Sequence, residues 1–260
     1  MQNAPLPAPP AYGVGALDRG LRLLQILRDD GSLRVSDAAD HLGTSRSTAH
    51  RLLSTLVYRG FAVVDDDHLY LPGPSMEAGP AHLSRNRELR RICHPHLVLL
   101  SRRSGESANL MVRVGTKVRF LETVEAIAAG RTRDRQGVIM PVTVSSGGKA
   151  ILAALDPAAV AQILAPETGA DPARGERAVG ELLSELAAIR SSGVAMNFGQ
   201  TERDVAAVGT AISTPAGEPL GAVSVSVPTA RFDVTLRDRL APLLLDTRRE
   251  IERDLAHADL

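Results

Sequence analysis

GTSRSTAHRLL, residues 43–53, carries Arg46, His50 and Arg51, four hydroxyl side chains and no acid, all directly after a glycine. A segment of this kind is either an ordinary solvated helix face or a helix laid against something negatively charged, and the flanking sequence decides between the two. Ala49, Leu52, Leu53 and Leu56 recur at i, i+3, i+4 and i+7, the spacing of one buried helical stripe. Arg46, Ser47, His50 and Arg51 then occupy the opposite side. Thr44 or Ser45 caps the start, and Gly43 ends the element before it.

Leu17, Leu21, Leu24 and Leu27 predict a first helix, broken by Gly31-Ser32. Ser36 caps a short second helix over residues 37–42, with Ala39 and Leu42 turned inward. Downstream, residues 61–64 and 68–71 read as strands flanking Asp65, Asp66 and Asp67. Three helices with a tight glycine turn between the second and third, closed by a hairpin, spell a winged helix-turn-helix. In that setting the third helix fits duplex DNA, because Arg and hydroxyl side chains reach phosphates and Arg or His reads base edges. The candidate contacts are Thr44, Ser45, Arg46, Ser47, Thr48, His50 and Arg51, with Arg19 and Ser36 on the two earlier helices. The three aspartates repel phosphate, so the wing tip reads as a solvated turn.

The bulk of the chain restricts the alternatives. Its 260 residues, 44% hydrophobic and 23% charged, are enough for two modest domains. Thirty basic residues balance thirty acidic ones, so any case for nucleic acid is local rather than global. Cys93 is the single cysteine, which excludes a disulfide framework and a multi-thiolate metal site and fits a reducing compartment, by default the cytoplasm. Residues 1–14 read as a proline-stiffened tail without the pattern of a signal peptide, and the uncharged run 205–217 is shorter than the ~18 residues of a membrane span. With no tryptophan and 3% aromatics, stacking on single-stranded bases is a poor model.

Pro72, Pro74, Gly79 and Pro80 punctuate the next stretch, and a basic helical segment, 85–91, leads into Pro95 as the domain connection. Strands are expected at Ser107–Val114 and Lys117–Val124, joined at Gly115-Thr116, and at 220–227. A helix follows from Val179, Leu182, Leu183, Leu186 and Ile189, and a last one covers 236–255. Hairpins with helices grouped between them make an α+β domain of sensor type.

SSGGKA, residues 145–150, resembles a phosphate loop but has Thr143 and Ala150 where that motif needs Gly and Ser or Thr. What remains is a small-residue turn opening a helix, whose free amides, with Lys149 nearby, can hold a carboxylate or serve only tight packing. Ser224 and Ser226 share one strand face and either line a pocket or bond to neighbouring strands. Cys93-His94-Pro95-His96 makes a poor metal site, since residues two apart on a helix do not share a face. No nucleophile elbow, zinc-protease motif or catalytic carboxylate pair is present, so no reaction and no cofactor is expected.

Taken together, GALDRGLRLLQIL, TSRSTAHRLLSTLVYRGF, YLPG, the P-x-L-x-x-L pattern of residues 95–100, SGGKAILA, GVAMNFGQTE and AVSVSVP resemble the IclR-type bacterial transcription regulators in order and spacing. The resemblance covers residues 15–255. It implies a winged helix-turn-helix over 15–76, a linker helix over 77–94 and a GAF-like domain over 95–260 that binds a small effector and builds dimers or tetramers. It also implies an effector pocket including Ser146, Gly147 and Gly148 at the helix start, Asn197, Ala207, Ser224 and Ser226. Members that bind small acids can carry Asp where this chain has Asn197 and Cys where it has Ala207, which implies a less charged pocket. The family's glycine before the following strand is Asp204 here.

The expected function is thus a homo-oligomeric regulator on palindromic duplex DNA, tuned by a small organic acid or related aromatic metabolite. The alternative is a metabolite-binding protein or small-molecule enzyme using its N-terminal helices only for assembly.

Overall fold

Ser45 starts the decisive helix: its hydroxyl accepts the amide of Thr48 at 3.3 Å, and α3 runs Arg46–Tyr58 from that cap. Ahead of it lie α1 (Gly15–Asp30) and α2 (Val35–Leu42); behind it, β1 (Ala62–Val64) and β2 (Tyr70–Pro72) pair antiparallel as the wing. Gly43 joins α2 to α3 with φ 57°, a left-handed conformation that a side chain disfavours. The structure, a computed structural model, describes residues 14–65, 67–73, 75–76, 80–126, 135–164 and 172–258. The chain divides into two compact units between Ala78 and Gly79.

In the first unit Leu23, Leu27, Ala38, Ala39, Ala49 and Leu53 form the core with Leu33, Leu42, Leu56, Ala62 and Tyr70. Each fully buried leucine contributes roughly 1.5–3 kcal/mol. Two local expectations are corrected, and one pairing is added. The first helix buries Leu23 and Leu27 and leaves Leu17 and Leu21 exposed. Ser36 is inside α2 rather than capping it, because the helix starts at Val35 after an extended Arg34. The wing gains a third edge the sequence did not suggest, where Leu33 and Tyr70 exchange backbone hydrogen bonds at 2.8 and 2.9 Å.

The second unit opens with α4 (Pro80–Ser104), which continues through Pro95 and past residue 94, where the sequence reading places a domain boundary. It is followed by β3 (Ser107–Val114), β4 (Lys117–Val124), β5 (Ile139–Pro141), α5 (Ser146–Ala153), α6 (Pro157–Leu164) and α7 (Pro172–Ser192). Then come β6 (Ala195–Phe198), β7 (Val205–Ser213), β8 (Pro219–Pro228) and α8 (Val234–His257). The six strands form one antiparallel sheet in the order β5-β4-β3-β8-β7-β6. Alternation along the strands sends Leu110, Val112, Val208, Val223 and Val225 to one face, packed on α4 and α8. Met111, Phe120, Ala195, Ala211 and Ala222 face the other way, toward α5 and its neighbours. Asp204 stays out of the left-handed region and closes the turn before β7 with its carbonyl, which accepts Thr229 N at 2.9 Å.

Candidate DNA-contact helix and effector pocket

On α3, burial of Ala49, Leu53 and Leu56 leaves Arg46, Ser47, His50 and Arg51 exposed, with Thr48 half-buried. The Ser45 hydroxyl also lies 3.0 Å from those of Ser47 and Thr48, so the first turn gathers three hydroxyls beside the helix amides. Thr44, half-buried, is tied into the turn through its amide to Ala39 O at 3.0 Å. Arg19 is exposed on α1, and Ser36 on α2 donates to Asp37 at 3.1 Å. An exposed helix with cations, hydroxyls and a positive N-terminal dipole suits a polyanion. At the wing, Asp65 accepts the amides of Asp67 and Leu69 at 3.0 and 2.8 Å, so this carboxylate organises the turn.

In the second unit the register brings the pocket residues together. Asn109 pairs with Ser224, and Ser107 with Ser226; Ser226 pairs in turn with Ala207, and Ala207 with Asn197. These partners share the face that looks toward α5. Asn109, fully buried, donates to Ser226 at 3.0 Å and to Ser224 at 3.4 Å, while its carbonyl accepts the Thr123 hydroxyl at 3.1 Å. Asn197 is committed to its own turn, donating to Thr201 at 2.7 Å and accepting Gln200 N at 2.9 Å.

Helix α5 abuts this floor with its N-terminus. A Cβ placed on Gly147 would meet Met111, and one on Gly209 would lie 3.1 Å from the Gly147 amide nitrogen, so the first turn rests directly on β3 and β7. Gly148 gives its amide to the Ser145 cap at 3.1 Å, and Lys149 gives its to Ser145 O. The amides of Ser146 and Gly147 are left without an acceptor among the described residues. Gly148 is therefore a packing position, where a Cβ would approach the Val142 carbonyl to 2.2 Å. Lys149 does not extend toward this corner as a free cation. It is 1% exposed, and its Nζ donates to Glu185 at 2.7 Å and Gln200 at 3.0 Å, tying α5 to α7 and to the β6–β7 turn.

The sequence reading missed Asn109, Thr123, Arg135 and Glu202. Arg135 and Glu202 make a two-point ion pair, with Nη1 2.7 Å from Oε1 and Nη2 donating to Oε2 at 3.0 Å. Only strand register could have found Asn109; nothing local marks Arg135 or Glu202. His94 turns to Glu122 at 2.6 Å and His96 to Asp254 at 2.8 Å, so the two histidines serve different contacts. Burial, aided by Glu122, pushes the Cys93 thiol up to about 12. Burial likewise raises Glu106 above its ordinary value, opposed by Arg231 at 2.8 Å.

A winged helix-turn-helix with a cationic exposed third helix, joined in one chain to a sheet domain with a buried polar cluster beside a helix start, has the architecture of a ligand-responsive DNA-binding regulator. The IclR helix-turn-helix domain matches residues 16–66, and the C-terminal domain of the bacterial transcriptional regulator IclR matches residues 81–253. The chain belongs to the IclR family of bacterial transcriptional regulators and is not an enzyme. It is 29% identical over 254 residues to the HTH-type transcriptional regulator BhcR of Paracoccus denitrificans, covering 94% of this chain and 88% of that one. The crystal structure of Thermotoga maritima IclR superposes with a TM-score of 0.60 at 25% identity, over 92% of this chain and 98% of that one. An IclR homologue of Microbacterium hydrocarbonoxydans, solved with 4-hydroxybenzoate, shares the fold at a TM-score of 0.58 and 24% identity, over 92% and 98% of the two chains. Among the described residues no helix is long and apolar enough to cross a membrane.

Proposed function

We propose that the protein is a homodimeric or tetrameric cytoplasmic regulator that reads palindromic operator DNA through paired copies of α3. A small organic acid, aromatic acids included, sets its occupancy of that DNA. The observation that carries the DNA reading is the acid-free, solvent-facing surface of α3 with Arg46, His50 and Arg51. Two copies of such a helix reach half-sites about one turn, ~34 Å, apart or at multiples of that spacing, which is why an oligomer and a palindrome go together. The acid reading is supported by the donor-rich corner at the start of α5, and by the 4-hydroxybenzoate bound to the Microbacterium homologue. Ser146, Gly147, Ser224 and Ser226 are the proposed contacts there, with Asn197 and Ala207 completing the floor.

Footprinting and gel shifts on the DNA upstream of the protein's own gene test the proposal. Arg46→Ala and Arg51→Ala each weaken binding. A base contact shows as roughly 1–3 kcal/mol and relaxed specificity, and a phosphate contact as a salt slope lower by about 1 per contact. Wild-type binding by the double variant would remove α3 from the interface.

A further inference from the structure

We propose that Arg135, held by Glu202, is the clasp for the effector's carboxylate. The proposal rests on the reading that this pocket holds the effector, and it adds the residue that selects for charge. Arg135 is anchored on one side of the polar floor, where its amide donates to Thr123 on β4 at 3.3 Å. Glu202 is anchored on the other side, in the turn before β7. Strands β3 and β8, which carry Asn109, Ser224 and Ser226, lie between β4 and β7 in the sheet. The ion pair therefore joins the β4 side of this floor to the turn before β7. Its guanidinium lies 5.8 Å from the ring centroid of Phe120, on the sheet face that looks toward α5.

Glu202 occupies the two terminal nitrogens of the guanidinium, at 2.7 and 3.0 Å. Arg135 Nε is buried and has no hydrogen-bond partner among the described residues, in a residue 6% exposed. A buried donor left unpaired is costly, and the remaining edge of an arginine fork matches a carboxylate. The amides of Ser146 and Gly147, at the start of α5 on the same sheet face, also lack acceptors among the described residues. Unpaired donors of this kind favour an anion. Glu202 has a side chain 42% exposed, so it balances the guanidinium yet can withdraw into solvent when a second carboxylate arrives.

The sign of two substitutions tests the clasp. Benzoate is titrated calorimetrically into the full-length protein, with benzamide as the uncharged isostere. Benzoate binds, benzamide binds at least about tenfold more weakly, and Arg135→Gln weakens benzoate by at least about tenfold, Arg135→Lys by less. Glu202→Gln strengthens benzoate several-fold, because it removes the competing carboxylate. An ion pair that merely braced the fold would lose affinity in both variants, and thermal melts identify any variant that fails to fold. Equal affinity for benzamide, or no binding of benzoate by the wild-type protein, overturns the proposal. Undiminished binding by Arg135→Gln also overturns it, and the joint Ser224→Ala, Ser226→Ala variant then separates the two readings. Loss of benzoate there leaves the pocket standing without the clasp, and no loss removes the pocket as well.

Discussion

Replacing Glu185 with alanine should destabilise the C-terminal unit far more than replacing Lys149 with methionine, although both cut the same ion pair. The two ends differ in exposure: the Lys149 side chain is 1% exposed and that of Glu185 is 45% exposed. Without Glu185, a buried ammonium keeps only Gln200 at 3.0 Å. Breaking a buried pair in this direction costs about 3–5 kcal/mol, and the surviving contact puts the expected value near ~3. Without Lys149, the Glu185 carboxylate simply hydrates, the methionine keeps the apolar stem in place, and no charge has to be buried. What is lost is the attraction of a half-exposed pair and one hydrogen bond, each worth up to about 1 kcal/mol and offset by the relieved desolvation, so the net cost stays within ~1 kcal/mol. Urea denaturation of the full chain at fixed protein concentration separates the two. All three tyrosines, at positions 12, 58 and 70, precede residue 79, so their fluorescence follows the N-terminal unit as an internal reference while far-ultraviolet circular dichroism follows both. Equal losses, or a greater loss for Lys149→Met, would refute the argument that the ammonium is the dependent partner.

Ser45→Ala removes the cap of α3 and should cost the N-terminal unit about 1 kcal/mol by the same tyrosine signal, whereas Ser45→Asp keeps the cap and the stability but lowers DNA affinity in gel shifts. Gly148→Ala drives a Cβ into the Val142 carbonyl and should cost roughly 2–3 kcal/mol, while Gly147→Ala meets side-chain atoms, chiefly the end of Met111 and then Ala222 Cβ at 3.3 Å, and should cost less, about 1–2 kcal/mol, both measured by denaturation. A Cys93 thiol raised to about 12 is ~0.01% thiolate at pH 8, against roughly a quarter for an ordinary thiol, so a thiol reagent should label the native protein more than 1000-fold more slowly than the urea-unfolded chain.

The N-terminal unit was legible because its signals are local. Gly43, Ser45 and the Ala49, Leu53, Leu56 stripe each act within a few residues, and the structure confirms the third helix, its cap and its buried side. The inner face of the first helix was half legible: of Leu17, Leu21, Leu24 and Leu27, the structure buries Leu27, packs Leu24 against the core and exposes Leu17 and Leu21, with Leu23 buried instead. Periodicity alone does not say which stripe finds a partner. In the C-terminal unit, β3 and β4 were read to the residue from their alternation and the Gly115 turn, and the last helix to within two residues at each end. Asn109 was invisible because a lone asparagine in a strand acquires meaning only from the register that sets it opposite Ser224. The Arg135–Glu202 pair joins residues 67 apart, and no local pattern encodes that meeting.

A ligand shifts an equilibrium only through a difference in its affinity for the two states. The pocket floor offers little such difference, since Asn109, Ser224 and Ser226 sit on strands bonded to neighbours on both sides, and their spacing is fixed by the sheet. Contacts to that floor supply affinity in either state. The parts not paired into the sheet are the turn carrying Gln200 and Glu202, and the first turn of α5, whose glycines rest on the sheet without side chains of their own. Lys149 links these two parts through Gln200 and fastens both to α7 through Glu185. On the proposed clasp, an acid that draws Arg135 away from Glu202 is expected to loosen one end of a turn whose other end is tied to α5 through Gln200 and Lys149, which makes that turn the expected place for a change of shape. To reverse a 1:99 equilibrium, about 5.5 kcal/mol of difference must come from those contacts.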